Sequence, residues 1–424
     1  MASKITGRVS SRKAMLKKIS AKQLVVGMHL KEFCGSWMEH PFWRTAFVIT
    51  DPKDIDSILA SSIKEVWIDS SKGLDVVDGE TAISEAESDV QVEAELKNAA
   101  QEQRKTAAVP ASVEYARAAK ICAQSKRAVA SMFQEARMGK AVDTEGAQKL
   151  VEEISDSISR NPGALISLAR LKTADDYTYM HSVAVCALMI ALSKQLNLDE
   201  IQTRSAGVAG LLHDLGKALM PMDVLNKPGK LTDEEFAIIK THPEEGHKLL
   251  LASTGADEMA LDVVLHHHEK TDGSGYPKHL KDSEISLYAK MGAVCDVYDA
   301  ITSNRPYKAG WDPAESLRKM AEWANGHFDP TVFQAFVKSL GIYPVGSLVK
   351  LNSGRLGIVI EQAEKSLLTP RIKVFYSTRS NTRIKPEIVD LSRPKCPEKI
   401  AGREDPAQWN FADLNELWSG QKGF

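Results

Sequence analysis

The spacing of apolar residues divides the chain into a mixed N-terminal part, a helical middle and a short β-rich end. Between Ile19 and Asp75, short apolar runs alternate with turn residues, which predicts a few strands and one helix over residues 54–62. From Ser112 to Leu340, apolar residues recur three, four and seven positions apart, as they do over 180–192. Three short β-type runs between residues 345 and 395 follow. The pattern therefore predicts an all-α core between two smaller parts.

These changes of pattern set the expected domain bounds. We predict a basic tail (1–18), a small α+β domain (19–76), a linker or loosely ordered helix (77–111), an all-α domain (112–342) and a β-rich C-terminal appendage and tail (343–424). The linker is rich in Glu, Ala, Ser and Gln, a composition typical of weakly packed segments or solvated helices. An aromatic cluster, Trp37 to Arg44, is either a recognition surface or, as we favour, a small core under a loop.

Composition narrows the classes of function. The 424 residues are 43% hydrophobic and carry a net charge of −2, so nothing indicates a general nucleic-acid or membrane binder. Five scattered cysteines without a CxxC pair favour a reducing compartment and oppose a thiolate zinc site. No apolar run has membrane-spanning length, and no apolar core follows the basic N-terminus as in an export signal. We therefore expect a cytoplasmic globular enzyme.

Histidines are concentrated in less than a quarter of the chain. Eight of the eleven lie between His181 and His279, and most stand in short motifs with carboxylates or glycines. Imidazole and carboxylate are the ligand set that first-row metals accept without thiolate. A metal centre is the simplest explanation of this pattern.

The pair His213-Asp214 has the most informative surroundings. A lone His-Asp pair is weak evidence, but here the apolar run Val208 to Leu212 precedes it and Gly216-Lys217 follows. A charged pair behind a buried helix face needs partners, because an unpaired buried charge is costly. A metal would supply one, and the two oxygens of Asp214 could join two cations.

Three other motifs are weaker when taken singly. His267-His268 precede a loop of Asp, Gly, Ser and Pro; on a helix, neighbouring histidines point about a hundred degrees apart, which suits a two-metal cluster better than one ion. The alternative is a histidine-rich surface patch that includes His266. His242 stands before a proline at a helix start, and by itself it would be read as an ordinary surface histidine. Asp296 and Asp299 share one face of a helix whose other residues are mostly small and apolar.

Together these motifs resemble the HD-GYP domain, a branch of the HD phosphohydrolase superfamily. The matching residues, in order, are His181, His213-Asp214-x-Gly216-Lys217, His242, His267-His268-Glu269, Asp272-Gly-x-Gly-Tyr276-Pro277 and Asp296-x-x-Asp299. Residues 19–75 also resemble a domain of unknown function that is common ahead of bacterial HD-GYP domains. The resemblance implies an all-α HD core, a di- or trinuclear metal centre and hydrolysis of the second messenger cyclic di-GMP.

The resemblance also implies roles for individual residues. One metal would be held by His181, His213, Asp214 and Asp296, and a second by Asp214, His242, His267 and His268. Asp214 and Lys217 would be catalytic; Lys217, Tyr276, Asp299, Arg305 and Lys308 would contact the substrate, with Asp299 alternatively supporting a ligand. Two divalent ions are expected, and histidine with carboxylate suits iron or manganese.

One departure from the family bears on the product. Tyr177 stands where some members have a glutamate that helps bind a third metal, so we favour two metals and linear pGpG over full conversion to GMP. Two alternatives stay open: hydrolysis of cyclic GMP-AMP, and a non-catalytic receptor that binds diguanylate cyclase (GGDEF) domains through Gly275-Tyr276-Pro277. Oligomerisation is possible on either interpretation.

Overall fold

The computed structural model describes most of the chain as two compact units, one ending at Ala94 and the other beginning at Glu95. The described residues are 16–35, 46–61, 63–77, 81–99, 109–172, 177–227, 229, 231–253, 256–303, 310–363 and 366–420. The aromatic cluster Trp37 to Arg44 and the predicted substrate contacts Arg305 and Lys308 lie outside them. The five predicted domain bounds stay predictions.

The first unit is an antiparallel sheet with one helix, as the alternating pattern predicted. Its elements are β1 (Leu16–Ser20), β2 (His29–Phe33), β3 (Phe47–Val48), α1 (Pro52–Ala60), β4 (Glu65–Asp69) and β5 (Ile83–Ser84), with strand order β3-β2-β4-β1-β5. Helix α1 begins where the Asp51 side chain accepts a hydrogen bond from Lys53 N and Pro52 takes the first helical position. Leu30, Phe33 and Ile58 are buried in the core of this sheet. β1 begins inside the segment predicted as a tail.

A helix, α2 (Glu85–Ala99), occupies much of the predicted linker, in line with the solvated helix considered for it. The helices that follow are α3 (Ala111–Arg137), α4 (Thr144–Arg160), α5 (Pro162–Arg170), α6 (Tyr177–Gln195), α7 (Glu200–Leu212), α8 (Met222–Leu225), α9 (Asp233–Ile239), α10 (His242–Leu251), α11 (Glu258–His266), α12 (Leu287–Thr302), α13 (Pro313–His327) and α14 (Pro330–Leu340). The helical middle of the chain is therefore confirmed. Asn325 and Gly326 interrupt α13 with non-helical backbone angles.

Helix α6 is the centre of the helical core. Every residue from Met180 to Ser193 is buried, and α3, α5, α7 and α12 pack against it. The predicted helix is confirmed, and its buried surface extends beyond the apolar positions that the periodicity identified. Small and apolar residues cover its whole circumference, which is typical of a helix surrounded by others. His181 is thereby carried into the interior.

The C-terminal part is a second antiparallel sheet in the same unit as the helices. Its strands are β6 (Leu348–Leu351), β7 (Arg355–Glu361), β8 (Arg371–Ser377), β9 (Thr382–Asp390) and β10 (Ile400–Arg403), in the order β10-β6-β7-β8-β9, followed by α15 (Leu414–Ser419). It is joined to the helical core by hydrogen bonds from Ala111 N to Glu361 (2.9 Å) and from Leu348 N to Asp312 (3.1 Å). Among the described helices none is both long and apolar enough to cross a membrane.

Candidate metal centre

Three histidines of the centre are oriented by backbone carbonyls. Nδ1 of His213 donates to Gly210 O at 2.8 Å, that of His242 to Ile239 O at 2.7 Å, and that of His267 to Val263 O at 3.0 Å. A carbonyl can only accept, so each Nδ1 carries a proton, and the lone pair of a neutral ring is then on Nε2. All three side chains are buried. The fold thus holds three ring nitrogens in fixed orientations in the interior.

The Nε2 atoms meet in two pairs. Nε2 of His213 lies 3.2 Å from Nε2 of His181, and Nε2 of His242 lies 3.4 Å from Nε2 of His267. Burial keeps the rings of His242 and His267 neutral, and their two lone pairs repel at this range unless a cation lies between them. Asp214 Oδ1, which is buried, has no hydrogen-bond partner among the described residues. These acceptors without partners fit divalent metal ions, which the resemblance stated above implies.

The potential ligand atoms form two groups that correspond to the two sites predicted from sequence. One contains His181, His213 and Asp296, the other Asp214, His242, His267 and His268, and the atoms of each group lie within 4.8 Å of one another. Asp214 faces both, because its Oδ1 lies 3.2 Å from His242 Nε2 and its Oδ2 3.4 Å from His181 Nε2. This is the placement expected of a bridging carboxylate.

The neighbouring pair His267-His268 falls in a single group, which the helical geometry argued against. The reason is that α11 ends at His266, so His267 is its C-cap and His268 lies in the turn beyond. At this helix end the two rings lie 4.1 Å apart by their centroids, and both offer a ligand atom to the same group. His266 instead pairs with Asp262 at 2.8 Å and contributes nothing to the centre.

Burial and charge set the protonation states of the centre when no metal is bound. Burial opposes protonation of His181, but Asp214, Asp296 and Asp299 outweigh it and raise its pKa to about 10, so an ion that binds to this ring must displace a proton. Burial, with the nearby His213 and His242, lowers the pKa of His267 to about 3. Burial would raise the pKa of Asp214, yet Lys217 and the histidines hold it well below its usual value. The carboxylate is therefore ionised and His267 neutral at neutral pH.

The predicted substrate contacts have different surroundings. The Lys217 ammonium contacts Asp214 Oδ2 and is 21% exposed, so it borders both the centre and solvent. Tyr276 stacks on His268 with ring centroids 4.6 Å apart. Asp299 is buried, and its Oδ2 accepts from His181 Nδ1 at 2.6 Å. That position favours support of a ligand over contact with substrate.

Sequence reasoning missed Lys172, a fully buried lysine that contacts Asp299. It lies just beyond the end of α5, in no recognisable motif, so spacing offered no signal for it. Tyr177, the residue in the place of a third-metal glutamate, stacks on His181 with ring centroids 5.8 Å apart.

Other motif residues shape the backbone. A Cβ on Gly216 would lie 1.9 Å from His242 O, so only glycine permits the close approach of the 3₁₀ turn Leu215–Leu219 to α10. A Cβ on Gly275 would lie 2.4 Å from Lys270 N. Glu269 is buried and accepts hydrogen bonds from Lys278 N (2.6 Å) and Leu280 N (3.0 Å). These residues fix the loop that carries Tyr276.

Comparison with known proteins places the chain in a family. The HD domain model matches residues 152–332, and a domain of unknown function, DUF3391, matches residues 16–147. A cyclic di-GMP phosphodiesterase of Pseudomonas aeruginosa is 54% identical over 407 residues, which cover 96% of both chains. The chain belongs to the HD-GYP family.

Other relatives match less than half of this chain. The cyclic di-GMP phosphodiesterase response regulator RpfG of Xanthomonas campestris is 35% identical over 45% of this chain and 51% of its own length. A 3'3'-cGAMP-specific phosphodiesterase of Vibrio cholerae is 34% identical over 38% of each. Both cyclic dinucleotides considered from the sequence thus appear among the substrates named for relatives.

Proposed function

We propose that this protein is a metal-dependent phosphodiesterase that hydrolyses cyclic di-GMP to linear pGpG. The observation that carries the proposal is the pair of ligand groups that face Asp214, in a chain 54% identical over its length to a cyclic di-GMP phosphodiesterase. A phosphodiester is stable in water, and its hydrolysis needs both a strong nucleophile and relief of negative charge. The centre is equipped to hold ions that provide both.

Seven side chains would hold two divalent ions. One ion would be held by His181, His213 and Asp296, the other by His242, His267 and His268, with Asp214 contributing to both. When bound, such a pair lowers the pKa of water and neutralises charge on the phosphodiester and its leaving oxygen. The donors are all nitrogen or oxygen, which favours iron or manganese over a structural zinc.

The protein itself supplies charge and a stacking surface for the substrate. Because the net charge is −2, a dianionic cyclic dinucleotide must be attracted by local cations. The partly exposed Lys217 ammonium beside Asp214 is placed to contact the scissile phosphate. The ring of Tyr276, stacked on His268, offers a face on which a guanine could lie. Arg305 and Lys308 remain proposed phosphate contacts.

The product is proposed from Tyr177. The first cut opens the ring, and linear pGpG must then rebind in a new register for the second. Tyr177 lies against His181 and offers no carboxylate for a third cation that would hold the terminal phosphate. We therefore infer that the second cut is slow and pGpG accumulates.

Three further features stay proposals. Diguanylate cyclase (GGDEF) domains would bind the loop Gly275-Tyr276-Pro277, although Tyr276 is partly engaged with His268. The cytoplasm is the expected compartment, since cyclic di-GMP is an intracellular messenger and the described cysteines are all unpaired. Self-association would be tested by light scattering.

The deciding experiment compares cyclic dinucleotides directly. Full-length protein loaded with Mn²⁺ or Fe²⁺ is incubated with cyclic di-GMP and with 3'3'-cGAMP, and products are separated by chromatography. We expect faster turnover of cyclic di-GMP and a pGpG phase. Preference for cGAMP would select the alternative enzyme, and absence of turnover by fully loaded protein would contradict catalysis.

A further inference from the structure

Lys172 is a buried cation next to the candidate metal centre. Its side chain has no exposed surface, and its ammonium contacts Asp299 Oδ2, whose side chain is 3% exposed. Burying an ammonium is strongly unfavourable unless close partners compensate. Lys172 therefore cannot serve as an ordinary solvated surface charge, and its contacts must explain why a lysine is buried here.

The same carboxylate oxygen holds a candidate ligand. Oδ2 of Asp299 also accepts from Nδ1 of His181 at 2.6 Å, while Ser303 Oγ donates to its Oδ1 at 3.4 Å. Asp299 lies one turn after Asp296 on α12. This helix thus supplies one candidate ligand directly and supports another through Asp299.

A second contact leads from Lys172 to the same histidine. The ammonium lies 5.4 Å from the ring centroid of Tyr177, and that ring stacks on His181 at 5.8 Å with an angle of 9° between the planes. Cation–π attraction between Lys172 and Tyr177, and stacking of Tyr177 on His181, hold the three side chains in fixed relative positions. His181 is thus supported both behind Nδ1 and across one ring face by groups that Lys172 contacts.

We propose that Lys172 is a positioning residue for His181. Its ammonium fixes the Asp299 carboxylate, which in turn keeps the Nδ1 hydrogen bond and aims Nε2 at the group with His213 and Asp296. The inference rests on the proposed metal-dependent function. It differs from an ordinary buried ion pair in its consequence: Lys172 sets the affinity of one of two metal groups without touching the metal.

The test measures Mn²⁺ binding to the metal-free, full-length protein by calorimetric titration. Lys172→Met removes the charge and keeps the length, and we expect about 10- to 100-fold weaker binding of one ion with the other unchanged, the usual effect of removing a partner of a metal ligand. At saturating Mn²⁺, kcat should recover most of its wild-type value. Lys290→Met is the matched control, because Lys290 bridges Asp282 and Asp329, which belong to neither ligand group.

A double-mutant cycle separates positioning from general packing. If Lys172 acts through Asp299, then Lys172→Met combined with Asp299→Asn should bind Mn²⁺ no more weakly than Asp299→Asn alone. The double variant also removes the unpaired carboxylate that could unfold Lys172→Met by itself. Additive losses, equal weakening of both ions or unchanged affinity in Lys172→Met would overturn the proposal. The proposal would also be overturned if Lys172→Met, Asp299→Asn and the double variant all lacked a thermal unfolding transition.

The readout is independent of the substrate. Wild-type protein that binds two Mn²⁺ ions and fails to hydrolyse cyclic di-GMP would contradict the proposed function alone, and the affinity result for Lys172 would stand.

Discussion

Gly216 is the motif residue whose replacement tests most directly how the fold holds the centre. In Gly216→Ala the new methyl group would lie 1.9 Å from His242 O, 2.6 Å from Gly246 N and 2.9 Å from Gly246 Cα. All three neighbours are backbone atoms, so no side chain can rotate away. The 3₁₀ turn after Asp214 and helix α10 would have to separate.

The size of the displacement follows from the shortest contact. Ordinary carbon contacts begin at 3.4 Å, so relief of the clash requires a movement of about 1.5 Å. His242, the first residue of α10, now has its Nε2 3.2 Å from Asp214 Oδ1. Overpacking of this kind typically costs about 1–3 kcal/mol, and misplacement by about 1 Å can reduce an enzymatic rate about a hundredfold.

We expect Gly216→Ala to fold with a melting temperature lowered by a few degrees and to lose most affinity for the ion held by His242. Elemental analysis and Mn²⁺ titration would measure the loss, and cyclic di-GMP turnover its consequence. Gly402→Ala is the control, because a Cβ there meets nothing within 4 Å. Native metal content and turnover in Gly216→Ala would refute the argument that close backbone approach positions His242.

Three further predictions concern the centre itself. Asp214→Ala should abolish activity and lower the metal content, because Asp214 faces both ligand groups. Elemental analysis and kinetic assays would test this. Unchanged metal content together with persisting turnover would disprove the role of Asp214 as a shared ligand. Lys217→Ala should keep both metals and lose about 3 kcal/mol of transition-state stabilisation, about a hundredfold in kcat, whereas loss of metal would make Lys217 structural. Tyr177→Glu should raise the metal stoichiometry and shift the product towards GMP, as followed by chromatographic time courses. If the wild-type protein formed GMP without a pGpG phase, the argument from Tyr177 would be contradicted.

The sequence allowed the potential ligands to be predicted because their motifs are local. His213-Asp214 and His267-His268 are recognisable from a few neighbours, and the family resemblance grouped them with His181, His242 and Asp296. Their assembly depends on residues far apart in sequence, which apolar periodicity alone could not bring together. The family resemblance, and not the spacing of residues, predicted which distant residues come together.

Support for these residues was harder to predict. Lys172 stands alone in sequence and gains its meaning only from contact with Asp299, 127 positions away. Strands β9 and β10 were not predicted individually, because β9 is largely exposed, contains Pro386 and lacks a buried alternation. A residue such as Lys172, which acts through one partner far away in sequence, cannot be recognised from its sequence neighbours alone.

The three carbonyl-oriented histidines share a physical cause that also explains where their motifs fall in the chain. Their Nδ1 atoms donate to carbonyls in the last turns of α7, α9 and α11, namely those of Gly210, Ile239 and Val263 with Val264. A helix leaves its last four carbonyls without intrahelical partners, so a histidine placed just after the helix satisfies one of them and is oriented by it. The same carbonyls form the negative end of each helix dipole, which favours a nearby cation by about 0.3–1 kcal/mol per helix. These three helix ends would therefore both orient the ligand nitrogens of the two groups and favour cations held near them, which is a reason for such motifs to follow helices.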